Sequence, residues 1–173
     1  MITTVDVETS WQVTSTGGYD PSPYHPDNIL VSVGINDEYY FTNHSERIDE
    51  GCYHNIQSIL DKTTLLVGHN IKFDLMWLLE AGFKYTGRVY DTMLGEYILN
   101  RGIRKSLTLE MSCRRRRIGS KDSRIKEFTD RGIPFQNIPS GLVEEYGRMD
   151  VQITRDLFNS QMADFRMPKN KHL

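Results

Sequence analysis

Short apolar runs alternate with longer amphipathic segments along this chain. Five runs rich in β-branched and aromatic residues, bounded by turn-forming residues, predict β-strands. They are Ile2–Glu8, Ile29–Ile35, Tyr39–Thr42, Thr64–Gly68 and Arg88–Tyr90. The first strands follow one another directly, whereas the later ones are separated by helical patterns.

Helical periodicity predicts five helices, several of which have recognisable ends. Gly82 ends the second helix, Asp91 caps the third, Gly102 follows the third, and Ser140 caps the last. The predicted helices are Ile48–Asp61, Ile71–Ala81, Asp91–Leu99, Leu107–Arg117 and a long one from Gly141 to about Phe165.

Two stretches show neither the strand pattern nor the helical pattern. Thr14–Asn28 is rich in Gly, Pro and Ser and predicts a loop, and Ser120–Ile138 is polar and irregular with partial helical character. Three strands, then alternating helices and strands, then helices predict an α/β fold. We expect a mixed central sheet with antiparallel early strands, later strands joined by crossovers, and flanking helices.

Composition and charge narrow the class of protein. The chain has 173 residues and 38% apolar content, which fits a single domain spanning 1–173. Its formal net charge is −2, so any attraction to phosphate must come from a local patch or a bound metal. Cys52 and Cys113 form no C-x-x-C pair, and we find no signal peptide and no run of 18 apolar residues. We expect a cytosolic protein with no membrane partner.

Asp6 and Glu8 stand in a strand that should be buried. Residues two apart on a strand point to the same face, so these two carboxylates project together while Val5 and Val7 face the other side. Adjacent like charges are destabilising unless a cation lies between them or water solvates them. The spacing alone leaves both a cation site and a solvated face open.

Two helices each carry a further carboxylate. Asp74 follows Asn70 by four residues at the start of a helix that is apolar nearly all round. Asp150 lies on an apolar stripe, one turn after Tyr146. Each has an ordinary alternative: a first-turn charge stabilised by the helix dipole, or an edge residue paired with an arginine. Four converging buried carboxylates, however, would be prohibitively costly without divalent cations, so the set predicts a two-metal phosphodiester-cleaving site.

Three motifs in this order resemble those of the DEDD superfamily of 3′–5′ exonucleases. They are Asp6-Val7-Glu8-Thr9, Asn70-Ile71-Lys72-Phe73-Asp74 and Tyr146-Gly147-Arg148-Met149-Asp150. A tyrosine four residues before the last Asp is similar to the tyrosine branch of the superfamily, DEDDy. Phe73–Leu99 and the segment Lys105-Ser106-Leu107 resemble the proofreading domain of family A DNA polymerases, whereas the long loop Ser10–Asp27 departs from the pattern. The resemblance implies a ribonuclease H-like fold.

The resemblance also implies a catalytic set of Asp6, Glu8, Asp74, Tyr146 and Asp150. The four carboxylates would bind Mg²⁺ or Mn²⁺, two ions per site, because hard cations prefer oxygen ligands. Asp6, Glu8 and Asp150 would hold the ion that activates water, while Asp6 and Asp74 serve the ion that stabilises the leaving 3′-oxygen. Tyr146 would position the water, helped by Glu8, because a phenol with a pKa of about 10 is a poor base at neutral pH.

Predicted substrate contacts fall close to these motifs. By resemblance, Thr9 and Asn70 contact the terminal nucleotide, and Phe73 belongs to the same substrate-binding set. Trp11 could stack on bases or wedge between them, since every base offers a π-face; equally, it could be an ordinary aromatic covering the core.

A basic run, Arg114–Arg117, ends the fourth predicted helix. With Lys121, Arg124 and Lys126 it could follow a phosphate backbone. Alternatively, it is a solvated helix end stabilised by the helix dipole. His44 and His69 have no spacing that suggests a metal site, and Asp91 is interpreted as a helix cap.

The leading functional prediction is a metal-dependent 3′–5′ exonuclease acting on single-stranded DNA ends and releasing nucleoside 5′-monophosphates, in proofreading or DNA processing. We expect a free-standing domain, or one separated from its polymerase, in a bacterial or phage-infected cytosol, with a separate DNA polymerase as a partner. One alternative is an RNA 3′-end trimmer similar to ribonuclease D, although Asp91-Thr92-Met93 favours DNA. Another is a silent nucleic-acid-binding domain, which the complete carboxylate set disfavours.

Overall fold

The computed structural model describes residues 1–119 and 123–166. Its strands are β1 (Ile2–Thr9), β2 (Gln12–Val13), β3 (Tyr19–Asp20), β4 (Leu30–Ile35), β5 (Glu38–Phe41), β6 (Leu65–Gly68) and β7 (Arg88–Asp91). Its helices are α1 (Cys52–Asp61), α2 (Ile71–Glu80), α3 (Thr92–Leu99), α4 (Leu109–Arg116), α5 (Arg124–Asp130) and α6 (Ser140–Arg166), with a 3₁₀ turn at Phe135–Asn137. In these described ranges, no helix is both long and apolar enough to span a bilayer.

The central sheet is mixed, with the strand order β5-β4-β1-β6-β7. Strand β1 pairs antiparallel with β4 and parallel with β6, and β6 continues in parallel to β7. The predicted α/β class with antiparallel early strands is therefore confirmed. Because β1, β6 and β7 run in the same direction, their carboxyl ends meet at one edge of the sheet, where chains of this kind place ligand sites.

Several predicted boundaries shift for local reasons. Helix α1 begins at Cys52 instead of residue 48, because Gly51 adopts a left-handed φ of 69° and the residues before it form a turn. Helix α4 begins at Leu109, since the Thr108 hydroxyl caps it by accepting a hydrogen bond from the Met111 N–H. The predicted loop Thr14–Asn28 contains β3, which pairs with β2 in a small hairpin.

The described part of the stretch 120–138 has the partial helical character that its sequence predicted. It contains α5 and the 3₁₀ turn, while residues 120–122 lie outside the described ranges. The cap predicted at Asp91 is confirmed, because its carboxylate accepts hydrogen bonds from the N–H groups of Met93 and Asn70, both at 2.9 Å. This side chain is therefore used in joining β7 to α3 and to the turn after β6.

Helix α6 lies unusually close to the sheet. A Cβ on Gly147 would come within 2.4 Å of the Tyr39 ring, and one on Gly34 would come within 2.7 Å of the Val151 side chain. The Tyr39 hydroxyl lies 2.8 Å from the Ser32 hydroxyl and donates to the Val143 carbonyl at 3.3 Å. Because neither glycine has a side chain, α6 can pack directly against β1 and β4.

Candidate active site

Three carboxylates converge where α6 crosses β1. One oxygen each of Asp6, Glu8 and Asp150 lies within 4.8 Å of the other two. Glu8 and Asp150 are buried and Asp6 is half-buried. The pairing of β1 with β4 shifts between Glu8 and Thr9, and such irregularities often re-aim side chains beside active sites. The structure therefore brings Asp150 together with two carboxylates that stand 144 and 142 positions earlier in the chain.

Asp74 occupies a different position from the other three acids. It is buried in the first turn of α2, and its Oδ1 accepts a hydrogen bond from the Val7 N–H at 3.0 Å. Burial, and then the neighbouring charge of Asp6, raise the pKa of Asp74 well above its usual value. Asp74 is thus close enough to Asp6 for their charges to interact, but it is not one of the three carboxylates in the compact group.

Tyr146 lies beside the cluster, one helical turn before Asp150. Burial raises the pKa of its phenol, and the charges of Glu8, Asp150 and Asp6 raise it further. The hydroxyl donates a hydrogen bond to Asp150. The phenol therefore stays protonated at neutral pH, so it can orient a neighbouring group but cannot act as a base.

An open cleft of about 500 Å³ reaches the cluster. Its walls come from β1, from the residues that follow β6, from α3, from the start of α4 and the segment before it, and from α6. The lining residues are Asp6, His69, Asn70, Met93, Leu107, Thr108, Leu109 and Asp150.

His69 is a cleft residue whose role the sequence did not reveal. Its Nε2 donates to the Leu107 carbonyl at 2.8 Å, and its Nδ1 lies 2.9 Å from the Thr92 hydroxyl. His69 thereby fastens the segment before α4 to the end of β6. The sequence did offer one signal, because His69 stands between the end of a strand and Asn70 of the second motif. Its partners could not be identified from the sequence, since they lie 23 and 38 residues further along the chain.

The donor set of this site fits a divalent cation. Three carboxylates within 4.8 Å of one another repel strongly, and Glu8 and Asp150 have little water to screen them. All the donors are hard oxygen atoms, which suit Mg²⁺ or Mn²⁺ better than softer metals.

A family model of the DNA polymerase A exonuclease, described as a 3′–5′ exonuclease, matches residues 16–163. The chain belongs to this 3′–5′ exonuclease family. The match includes Asp74, Tyr146 and Asp150, and begins after Asp6 and Glu8. The resemblance drawn from the motifs is therefore confirmed at the level of the family, and the protein is a 3′–5′ exonuclease.

Solved structures support the same fold for the exonuclease. The apo form of a nuclease aligns with a TM-score of 0.64 and 16% identity, over 96% of this chain and 75% of the other. NrnC of Brucella melitensis aligns with a TM-score of 0.51 and 15% identity, over 99% and 91% of the two chains. A search of curated proteins finds no match.

Two predicted substrate contacts of the exonuclease lie near the cluster. Asn70 is exposed in the cleft, has a left-handed φ of 63°, and makes no side-chain capping bond to the helix it precedes. Thr9 is buried at the end of β1, directly after the irregular pairing. Phe73 is half-buried and packs against the core beneath α2.

Trp11 takes part in a set of aromatic contacts within the exonuclease. Its ring meets Tyr19 and Phe135 edge-on, at centroid distances of 5.6 and 5.9 Å. Phe135 in turn contacts Tyr146 at 6.0 Å. Trp11 therefore connects the β2–β3 hairpin to the neighbourhood of Tyr146, and it remains half-buried.

The basic run at the end of α4 divides into two kinds of residue. Arg115 and Arg116 both bind the carboxylate of Glu96 on α3, which is only 2% exposed. Arg116 also binds Asp164 of α6. Arg114 and Arg117 are exposed. The two central arginines thus join three helices, a role that neither sequence interpretation had included; Lys121 lies outside the described residues.

Proposed function

We propose that this exonuclease is a metal-dependent DEDDy enzyme that removes nucleotides from single-stranded DNA 3′ ends as nucleoside 5′-monophosphates, in proofreading or DNA processing. The observation that carries the proposal is the convergence of Asp6, Glu8 and Asp150 beside Tyr146. Water adds to the phosphorus atom, the bond to the 3′-oxygen breaks, and that oxygen leaves with a proton.

The carboxylates would hold the cations that this reaction needs. Asp6, Glu8 and Asp150 would bind one Mg²⁺ or Mn²⁺, and Asp6 with Asp74 would bind a second. When bound, such ions supply Lewis-acid stabilisation of charge on the phosphate and acidify water. Burial of Glu8, Asp74 and Asp150 excludes bulk water from the site and strengthens each electrostatic interaction there.

Tyr146 would orient the attacking water. Its raised pKa keeps the proton on the phenol, where it is donated to Asp150. The phenol oxygen can then accept one hydrogen bond from the water while Glu8 accepts the other. The role is positional, since a well-oriented nucleophile lowers the activation barrier without a change of charge on the positioning group.

The substrate contacts follow from the cleft. Asn70 supplies an exposed amide beside Asp6, and Thr9 and Phe73 would help to hold the terminal nucleotide. Trp11 would contact a base from the hairpin side. The proposal includes a separate DNA polymerase as partner and a cytosolic location.

The test is digestion of matched 5′-labelled single-stranded DNA and RNA in Mg²⁺, in Mn²⁺ and in EDTA, with Asp150→Asn as the inactive control. We expect a metal-dependent ladder that shortens from the 3′ end, with faster cleavage of DNA. Faster cleavage of RNA would replace the DNA assignment with the RNA-trimming alternative.

Intact substrate in both metals, from folded wild-type protein that still binds the oligonucleotide, would instead support a silent binding domain. Cleavage by Asp150→Asn at the wild-type rate would show that the site is misassigned.

A further inference from the structure

The structure changes which basic residues are available for nucleic acid. Arg115 and Arg116 are the centre of the sequence's most basic run, yet Glu96 and Asp164 bind both of them between helices. A guanidinium held in this way has its charge largely neutralised by its partners. The electrostatic attraction of a substrate backbone therefore has to come from elsewhere on a chain whose net charge is −2.

The segment between α3 and α4 offers such a surface. Arg101, Arg104 and Lys105 are all exposed, and no acidic residue occurs between Glu96 and Glu110. Across residues 1–119 and 123–166, no ion pair includes any of these three cations. We call Arg101–Lys105 the basic loop.

Both ends of the basic loop are held in place. At its start the Gly102 N–H donates to the Tyr97 carbonyl of α3 at 3.3 Å. Just beyond its end, Arg115 donates to the Ser106 carbonyl at 2.7 Å and His69 donates to the Leu107 carbonyl at 2.8 Å. Arg115, whose charge is neutralised by Glu96, therefore also helps to hold the loop that carries the exposed cations.

The basic loop leads directly into the wall of the active-site cleft. Leu107 lines the cleft together with Asp6 and Asp150. Two residues of extended chain separate the Cα atoms of Lys105 and Leu107 by about 7 Å at most. Lys105 is therefore close to the cleft wall along the backbone and lies outside the carboxylate cluster itself. Arg101 and Lys105 line a second open cleft of about 590 Å³, together with Arg115 and Arg116.

We propose that the basic loop binds the phosphates of nucleotides on the 5′ side of the terminal one. This inference rests on the proposed function: with the 3′-terminal nucleotide at the carboxylates, the strand that remains must leave the cleft over its rim. Arg101, Arg104 and Lys105 supply there the positive charge that the molecule as a whole lacks. The contacts are made to phosphate and are independent of base sequence.

The test compares two triple variants of the full chain. The first is Arg101→Gln, Arg104→Gln and Lys105→Gln. The matched control is Lys62→Gln, Lys84→Gln and Arg88→Gln, which also removes three exposed cations, near the amino ends of β6 and β7 and away from the cleft. Equal melting temperatures of the three proteins would show that the substitutions leave the fold intact.

Two substrates separate the loop from the catalytic centre. On a single strand of about 15 nucleotides, we expect the loop variant to lose about tenfold or more in kcat/KM at low salt. On a dinucleotide without a 5′ phosphate, whose single phosphate is the scissile one, we expect it to match the wild type. Binding of the long strand in EDTA should show a salt dependence shallower by about 2 in log–log slope, from three lost phosphate contacts.

The outcomes distinguish this inference from the proposed function. Equal kcat/KM values for the loop variant and the wild type on the long strand, or an equal loss in the control variant, would overturn the loop assignment. A comparable loss on the dinucleotide would also overturn it, since the loop would then act on the catalytic centre. Absence of cleavage by the wild type on either substrate would contradict the proposed function itself.

Discussion

Asp74 differs from the other acids of the site in what it binds. Its Oδ1 is occupied by the Val7 N–H, so the side chain ties the start of α2 to β1 as well as adding negative charge beside Asp6. A buried carboxylate that serves both purposes has opposing effects on stability: the hydrogen bond stabilises the fold, and the desolvated charge destabilises it.

Two substitutions at this position separate those effects. Asp74→Asn removes the charge but keeps an acceptor for Val7, so in EDTA we expect a melting temperature equal to or above that of the wild type. Asp74→Ala also removes the acceptor and should lower stability by about 1–3 kcal/mol. Thermal melts of both proteins in EDTA check this, and Asn behaving like Ala would mean that the hydrogen bond from Val7 has no part in the balance.

Tyr146 is expected to contribute by position alone. Tyr146→Phe should retain measurable metal-dependent cleavage, with kcat reduced by roughly 100-fold or less. The buried ring remains, so the melting temperature should change little. Single-turnover rates check this, with Tyr97→Phe at an exposed tyrosine as the control. Complete loss of cleavage in Tyr146→Phe would require a chemical role for the phenol.

At the scale of elements, the contact of α6 with the sheet decides whether the carboxylates meet. Gly147 lies between Tyr146 and Asp150 and faces the Tyr39 ring. That ring is buried, and hydrogen bonds at its hydroxyl restrict its movement. There is thus no room for even a methyl group without moving α6 or Tyr39.

Gly147→Ala should therefore destabilise the protein by about 1–3 kcal/mol and reduce cleavage. Gly141→Ala is a control on the same helix, because a Cβ there meets nothing within 4 Å and should be neutral or slightly stabilising. Urea denaturation of both variants, together with kcat/KM, measures the difference. Equal stabilities would show that α6 can shift without cost.

Glu96 connects α3 to α4 and α6. Burial alone would raise its pKa, but hydrogen bonds from Arg116, Gln161 and Arg115 outweigh burial and lower it. A carboxyl group with a lowered pKa in the folded state stabilises the fold above its unfolded pKa, and that stability is lost as the pH falls through the folded value.

Acid should therefore remove the contribution of Glu96. We expect Glu96→Gln to be less stable than the wild type by about 1–3 kcal/mol at pH 7. The difference should shrink as the pH falls below the ordinary glutamate pKa of about 4.3, and should be lost once the pH passes below the lowered pKa of the folded carboxyl. Urea denaturation across this range checks the prediction, with the exposed Glu110→Gln as control; a difference independent of pH would contradict it.

At the scale of the whole molecule, cation binding should appear as stability. A ligand that binds only the folded state at 100 times its Kd adds about 2.7 kcal/mol. For a chain of this length that corresponds to a rise in Tm of roughly 5–10 °C. We expect Mg²⁺ or Mn²⁺ to raise the Tm of the wild type, Asp150→Ala to lose most of the rise, and the exposed Asp130→Ala to keep it.

Without metal the order of stability should reverse. Asp150→Ala relieves repulsion with Asp6 and Glu8, so in EDTA its Tm should equal or exceed that of the wild type. Differential scanning calorimetry with and without cation measures both effects. An identical Tm rise in wild type and Asp150→Ala would place cation binding elsewhere.

The sequence by itself determined the features that depend on neighbours within a few residues. Asp6 and Glu8 share a face because strands alternate, Asp91 caps α3 because its side chain reaches the first turn, and Gly82 ends α2 with a left-handed φ of 94°. The mixed sheet followed from the order of those elements, and the motif set indicated the family because its residue types and spacing are specific.

Tertiary structure alone decided which distant groups became partners. Arg115 and Arg116 form a basic run in sequence, but Glu96 and Asp164 bind them because three helices pack together, and the basic loop provides a separate exposed cationic surface. Asp74 accepts a hydrogen bond from the Val7 N–H, and Gly147 allows α6 to pack closely enough for Asp150 to approach β1. The periodicity of a sequence determines which residues share a face of one element. Which residues of different elements contact each other depends on the crossovers and the close packing that bring those elements together.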